Sequence, residues 1–176
     1  DTPLWEKILS EYKTGTSLAG CSAGAMMLGA VSYTHLRAHV SDVFRDTPLW
    51  EKILSEYKTG TSLAGCSAGA MMLGEKLAFP FHLRNLNEGL GLIPKLVVLP
   101  HFDRYFGRIP KLAQNFIFKS ESENNVLGID ENTAVIHYES RWLCKGVGGA
   151  HSISSSPKAS FYNNDALSPE VLATNF

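Results

Sequence analysis

Gly65-Cys66-Ser67-Ala68-Gly69 has the spacing G-x-S-x-G and falls between a short apolar run and a run of small residues. A strand before and a helix after form the setting in which such a pentapeptide lifts a serine hydroxyl out of a sheet on a sharp turn. Small neighbours let the turn close, and the serine N–H then lies at a helix start, where an oxyanion is stabilised. A hydroxyl attacks a carbonyl at neutral pH only with a base at hand, and an imidazole steered by a carboxylate is the usual solution. Of six histidines, His101 is the candidate base, because it comes after an apolar run at the edge where open parallel sheets assemble their sites. It is flanked by Phe102, Asp103 and Arg104. Asp130 and Glu131 come just after another apolar run, and either carboxylate could hold the ring. The bland alternatives are a glycine-rich turn without a nucleophile and a loop histidine that caps local backbone. His82 reads as a loop residue and His137 as a packed residue inside a strand. His35 and His39 are four apart, but no third ligand stands near them, so no metal site is expected.

These residues need elements to hold them. Asp46-Thr47-Pro48 reads as a helix start, and Leu49, Trp50, Ile53, Leu54 and Tyr57 recur at helical spacing up to Thr59-Gly60. Residues 61–66 then suit a buried parallel strand, and 68–73 a closely packed helix. Residues 85–94 (NLNEGLGLIP) read as loop, and 95–99 (KLVVL) as the strand that Pro100 stops. Ile109, Leu112, Phe116 and Ile117 predict a helix over 108–120. Residues 126–129, 133–138 and 142–145 read as strands, the last two joined as a hairpin through Glu139-Ser140-Arg141. Helices alternating with apolar strands, then a hairpin, predict an α/β sheet with a partly antiparallel edge. Residues 152–176 are rich in Ser, Asn and Pro and are expected to form a loosely held tail.

Composition narrows the function classes. The chain has 176 residues, 44% apolar and 19% charged, as one globular domain would. A formal charge of −1 gives no global field for nucleic acid or an anionic membrane, so neither is an expected partner. The longest nearly apolar run, residues 18–31, is too short to cross a bilayer. The opening Asp1-Thr2-Pro3 lacks a secretory profile, and three scattered cysteines (Cys21, Cys66, Cys144) suggest reduced thiols; a cytoplasmic address is expected.

Residues 1–29 recur letter for letter at 46–74, an offset of 45. Repeat architectures show diverged copies, so this is no solenoid. Identity without drift means either a very recent duplication or an assembly fault; the joining stretch, with VSYTHLRAH at 31–39, favours the fault, and the second copy is the one that runs on into the rest of the chain. The expected division is therefore 1–45 as a duplicated segment with an insertion, 46–154 as the chemistry-bearing α/β domain, and 155–176 as the tail. Ser22 repeats the elbow but has no second set of downstream partners and is expected to be inert.

LAGCSAGAMML, then LGLIPKLVVLPHFDR, then VLGIDENTAVI, in that order, resemble the cyanophycinase and dipeptidase E family of serine peptidases over residues 46–154. The resemblance implies an α/β domain similar to class I glutamine amidotransferases: a flavodoxin- or Rossmann-like three-layer sandwich, incomplete here in its N-terminal half. It implies hydrolysis of short or unusual peptides through an acyl-enzyme, a small peptide as substrate, and neither metal nor cofactor. By motif match Ser67 is the nucleophile, His101 the base and Glu131 the acid of the cyanophycinase branch. Two departures stand out. Leu99-Pro100-His101-Phe102 replaces a D-Q-H-F stretch, with only Arg104 and Arg108 after it, which argues against the cyanophycin polymer as substrate. The glycine-rich strands that precede the opening helix in the family, with one oxyanion donor, have no counterpart here.

Three other readings compete. An α/β-hydrolase esterase would use Ser67, Asp130 and His151, although no HGGG-type stretch precedes the elbow. Glutamine amidotransfer needs a cysteine at the nucleophile position, and Cys66 comes one residue early, where it is expected to be packed. A truncated, non-catalytic domain would keep the elbow by descent alone.

Overall fold

The computed structural model describes residues 18–20, 44–79, 82–106, 124–154, 159–169 and 171–172. Helix α1 (Pro48–Lys58) begins where the sequence requires. Thr47 is extended, and its hydroxyl accepts the Trp50 N–H at 3.2 Å. Pro48 occupies the first turn, where its missing N–H costs nothing. The helix ends at Thr59, and Gly60 turns away with φ +103°, as glycine does after a helix. Strand β1 (Leu18–Gly20) is the described part of the first sequence copy. It pairs parallel with β2 (Leu63–Gly65), so that Leu18 lies opposite Leu63 and Gly20 opposite Gly65. Helix α2 (Ala68–Leu73) comes almost at once after β2.

Strands β3 (Lys76–Phe79) and β4 (His82–Glu88) form an antiparallel hairpin. This corrects the expected loop at its start, because Asn85 to Glu88 belong to β4, and His82 lies in that strand rather than in a loop. The main sheet has the order β10-β9-β6-β5, from β5 (Leu96–Pro100), β6 (Asn125–Ile129), β9 (Ala150–Ser152) and β10 (Ala159–Phe161). β5 and β6 run parallel, while β9 is antiparallel to both β6 and β10, giving the mixed edge expected of this α/β domain. Between β6 and β9 the chain makes the hairpin of β7 (Thr133–Tyr138) and β8 (Arg141–Gly146).

Alternation along β5 explains why its apolar run has no polar face. Val97 and Leu99 pack on one side with Phe102, Phe106, Val126 and Ile153, while Leu96 and Val98 pack on the other with Leu127, Trp142 and Cys144. A strand buried on both faces makes a rigid base for the residues at its carboxyl end. The second cluster also holds Leu167, Val171 and Leu172, the last only 1% exposed. The expected loose tail is thus corrected: 159–161 is a sheet strand, and Leu167, Val171 and Leu172 cover a core face. The helix expected over 108–120 lies outside the described residues, as do Ser22, His35 and His39.

Candidate active site

Ser67 stands between β2 and α2 with φ +54° and ψ −115°. This is a sparsely populated backbone conformation, which costs about 1–3 kcal/mol. The turn leaves no room for a side chain at Gly65. A Cβ on Gly65 would meet the carbonyl carbon and oxygen of Gly69 at 2.6 Å, so the strand end and the first helical turn touch through bare backbone. The Met71 N–H closes on the Ser67 carbonyl at 3.1 Å, making Ser67 the residue from which α2 starts. The N–H groups of such a first turn have no intrahelical acceptor.

His101 leaves the end of β5 directly after Pro100, also at positive φ, +53°. Its carbonyl accepts the N–H groups of Arg104 at 3.2 Å and Tyr105 at 3.1 Å, which starts the short helix α3 (Phe102–Phe106). Phe102 and Phe106 of this helix enter the core and anchor it, so the imidazole is held by a strand end and a packed turn. Tyr105 meets the ring edge-on at 6.2 Å between centroids.

Three side chains then fall into one line. His101 Nε2 is 3.1 Å from Ser67 Oγ, and His101 Nδ1 is 3.1 Å from Glu131 Oε1. A carboxylate only accepts, so Nδ1 carries the proton donated to Glu131, and Nε2 accepts from the serine hydroxyl. Glu131 begins the turn after β6, the strand that pairs with β5, which is why residues 30 apart meet. Arg104 Nη1 donates to the same Oε1 at 3.3 Å, and the Glu131 N–H donates to Asp103 Oδ1 at 3.0 Å. Sequence reasoning gave Asp103 and Arg104 no part in the site; their signal was their position directly after His101. The site is open to solvent, with the His101 and Glu131 side chains 38% and 36% exposed.

The other candidates fall elsewhere. His151 bonds Asp130 Oδ2 at 3.0 Å and Ser160 Oγ at 2.9 Å, so both nitrogens of the imidazole that the esterase reading requires at Ser67 are engaged by other groups. His137 packs against Trp142 with centroids 4.8 Å apart and the rings tilted by 42°, as a packed strand histidine does. Cys66 is exposed, which corrects its expected packing: the turn points the residue before Ser67 outward. Cys144 is fully buried. Burial first, then the nearby Asp165 and Asp130 charges, push its thiol above the usual range, against the lowering effect of a backbone bond from Ala150. Among the described residues no three His, Cys, Asp or Glu side chains gather as metal ligands. Nor is any described helix long and apolar enough to cross a membrane.

A serine held at positive φ on the turn between a short parallel strand and a helix, in an α/β domain, defines the class of nucleophile-elbow domains. The chain belongs to peptidase family S51, the family of cyanophycinase and dipeptidase E with its class I glutamine amidotransferase-like α/β fold, whose family model matches residues 37–143, more than half of its length. The chain is also similar to a crystal structure of a peptidase from an acI-B1 Actinobacterium, with 31% identity and a TM-score of 0.64 over 75% of its residues. It spans 55% of that peptidase's length. No curated protein matches it.

Proposed function

We propose that this chain is a serine-type peptidase that cleaves short peptides through an acyl-enzyme, with Ser67 as nucleophile, His101 as general base and acid, and Glu131 as the carboxylate that orients the imidazole. The observation that carries the reading is the unbroken line of hydrogen bonds from Ser67 Oγ through His101 to Glu131, each 3.1 Å long. Membership of a peptidase family supports the substrate class.

The chemistry derives from that line. Ser67 Oγ bonds to the scissile carbonyl carbon as its proton passes to His101 Nε2, and Glu131 stabilises the imidazolium through Nδ1–H. The carbonyl oxygen becomes an oxyanion facing the first turn of α2, where the Ala68 N–H is the donor that the elbow supplies. The tetrahedral adduct collapses, the C–N bond breaks, and the amine leaves with the proton held on Nε2. Water, deprotonated by the same nitrogen, then attacks the acyl-Ser67 ester and releases the acid. Each protein group ends the cycle in its starting protonation state, so the cycle needs neither metal nor cofactor. The free thiols Cys66 and Cys144 accord with a reducing, cytoplasmic setting.

A fluorophosphonate probe, which phosphonylates activated serines, tests the assignment without a known substrate. Wild-type protein is expected to label, and Ser67→Ala is expected not to; equal labelling of the two would overturn it.

A further inference from the structure

Glu131 comes directly after Asp130, whose side chain takes no part in the line at Ser67. Asp130 is nonetheless tied to β9 and the residue before it through one oxygen of its carboxylate. Its Oδ2 accepts the Gly149 N–H at 2.8 Å and the Nε2–H of His151 at 3.0 Å, and its own N–H donates to the Gly149 carbonyl at 3.0 Å. That arrangement fixes the tautomer of His151. Nε2 carries the proton, and Nδ1 accepts the Ser160 hydroxyl at 2.9 Å. The ring is further held by Phe102 at 5.2 Å and by the edge of Tyr162 at 6.3 Å. Both side chains are largely covered, Asp130 at 13% and His151 at 20% exposure. Backbone packing leaves no slack, since a Cβ on Gly148 would stand 2.5 Å from the Asp130 Cβ.

The turn that carries Glu131 is tied from both sides as well. The Thr133 hydroxyl donates to the Glu131 carbonyl at 3.2 Å and accepts the Gly148 N–H at 3.0 Å, while Asp103 takes the Glu131 N–H. Glu131 itself is a partly exposed side chain on a turn, and such a carboxylate holds one position only if its backbone does.

We infer that Asp130 and His151 are positioning residues for Glu131: the pair pins the β6–β7 turn to β9 and thereby keeps the Glu131 carboxylate within hydrogen-bond reach of His101. The inference rests on the proposed roles of Ser67, His101 and Glu131. Ser160 shares the hydroxyl, imidazole, carboxylate order, but it lies within β10 paired to β9, not at a strand-to-helix turn, and acts here as the anchor of His151.

The test uses the full chain and the saturation kinetics of fluorophosphonate labelling, which separate the maximal rate from the half-saturating concentration. Asp130→Asn and His151→Leu are expected to lower the maximal rate about tenfold to a hundredfold, as a misplacement of about 1 Å does, with half-saturation unchanged. His151→Gln, whose amide can donate where Nε2–H does, is expected to restore most of it. In a Glu131→Gln background Asp130→Asn is expected to slow labelling no further, because the carboxylate that it places is already gone. The same slowing in both backgrounds, or full rates in Asp130→Asn and His151→Leu, would overturn the inference. Should Asp130→Asn not fold, the comparison of His151→Leu with His151→Gln decides it: equal rates in those two go against positioning. Persistent labelling of Ser67→Ala strikes at the underlying reading instead, so the two failures are told apart.

Discussion

Ser67 is held at φ +54°, in a conformation that no serine prefers. The backbone contact of Gly65 with Gly69 holds it there. The strain has a use in the proposed role, because it aims the hydroxyl at His101 instead of burying it along the strand. Glu131→Gln keeps the shape of the orienting group but removes its charge, and it is expected to slow probe labelling by about 10³- to 10⁴-fold with little change in melting temperature. Ser22→Ala is expected to change nothing in that assay, since the sequence offers that serine no second histidine and carboxylate. At this scale the sequence was informative. G-x-S-x-G named the serine, and the ends of two apolar runs named His101 and the Asp130/Glu131 pair. Which of the two carboxylates faces the imidazole could not be read from spacing, because adjacent residues at a strand end point to opposite sides. The family resemblance singled out Glu131, the one found beside His101.

The elements that carry these residues divide by how local their causes are. The cap of α1, the elbow, β5 and the β7–β8 hairpin are specified within a few residues and were legible. The β3–β4 hairpin was not, because its residues NLNE are polar and turn-like, and only their pairing with Lys76 and Leu77 makes them a strand. The end of the chain was misread for a related reason. Leu167, Val171 and Leu172 are scattered among polar residues without a helical or strand period, and what buries them is the open face of β5, β6 and the hairpin. Leu172→Ala is therefore expected to cost about 2–5 kcal/mol in denaturant unfolding, as a core truncation does. A change within about 0.5 kcal/mol, normal for an exposed site, would show that the segment does not cover the core. Gly65→Ala probes the elbow itself. With no room for the Cβ, it is expected to destabilise by about 1–3 kcal/mol and to slow labelling together.

Across the whole molecule, two core clusters meet on the two faces of β5, so the strand that leads into His101 is stabilised by contacts from the elements on both sides of it. Cys144 lies in one of these clusters and reports on it. Its thiol is held protonated above the ordinary range by burial, whereas Cys66 is exposed, so peptide-resolved alkylation at neutral pH is expected to modify Cys66 first. Cys144 is expected to react only as the domain unfolds; equally fast modification in native buffer would mean that the core is open. The same shift governs alkaline stability. Because the unfolded chain releases the Cys144 proton at lower pH than the folded one, this contribution is complete below the ordinary thiol range and is lost as pH rises from there through the raised folded value. The α/β class was visible at this scale from alternating elements and the amidotransferase-like fold from the family resemblance, while the closeness of His101 and Glu131 is a property of the parallel β5–β6 pairing that no single segment contains, and Ser67 is brought to them by the packing of α2 against β5. The most direct test of that closeness is to map, by peptide mass spectrometry, where a fluorophosphonate attaches to the wild-type chain. Attachment at Ser67, lost in His101→Ala, is the predicted result; attachment at Ser160 or another serine, or at Ser67 with undiminished speed without His101, would contradict the account.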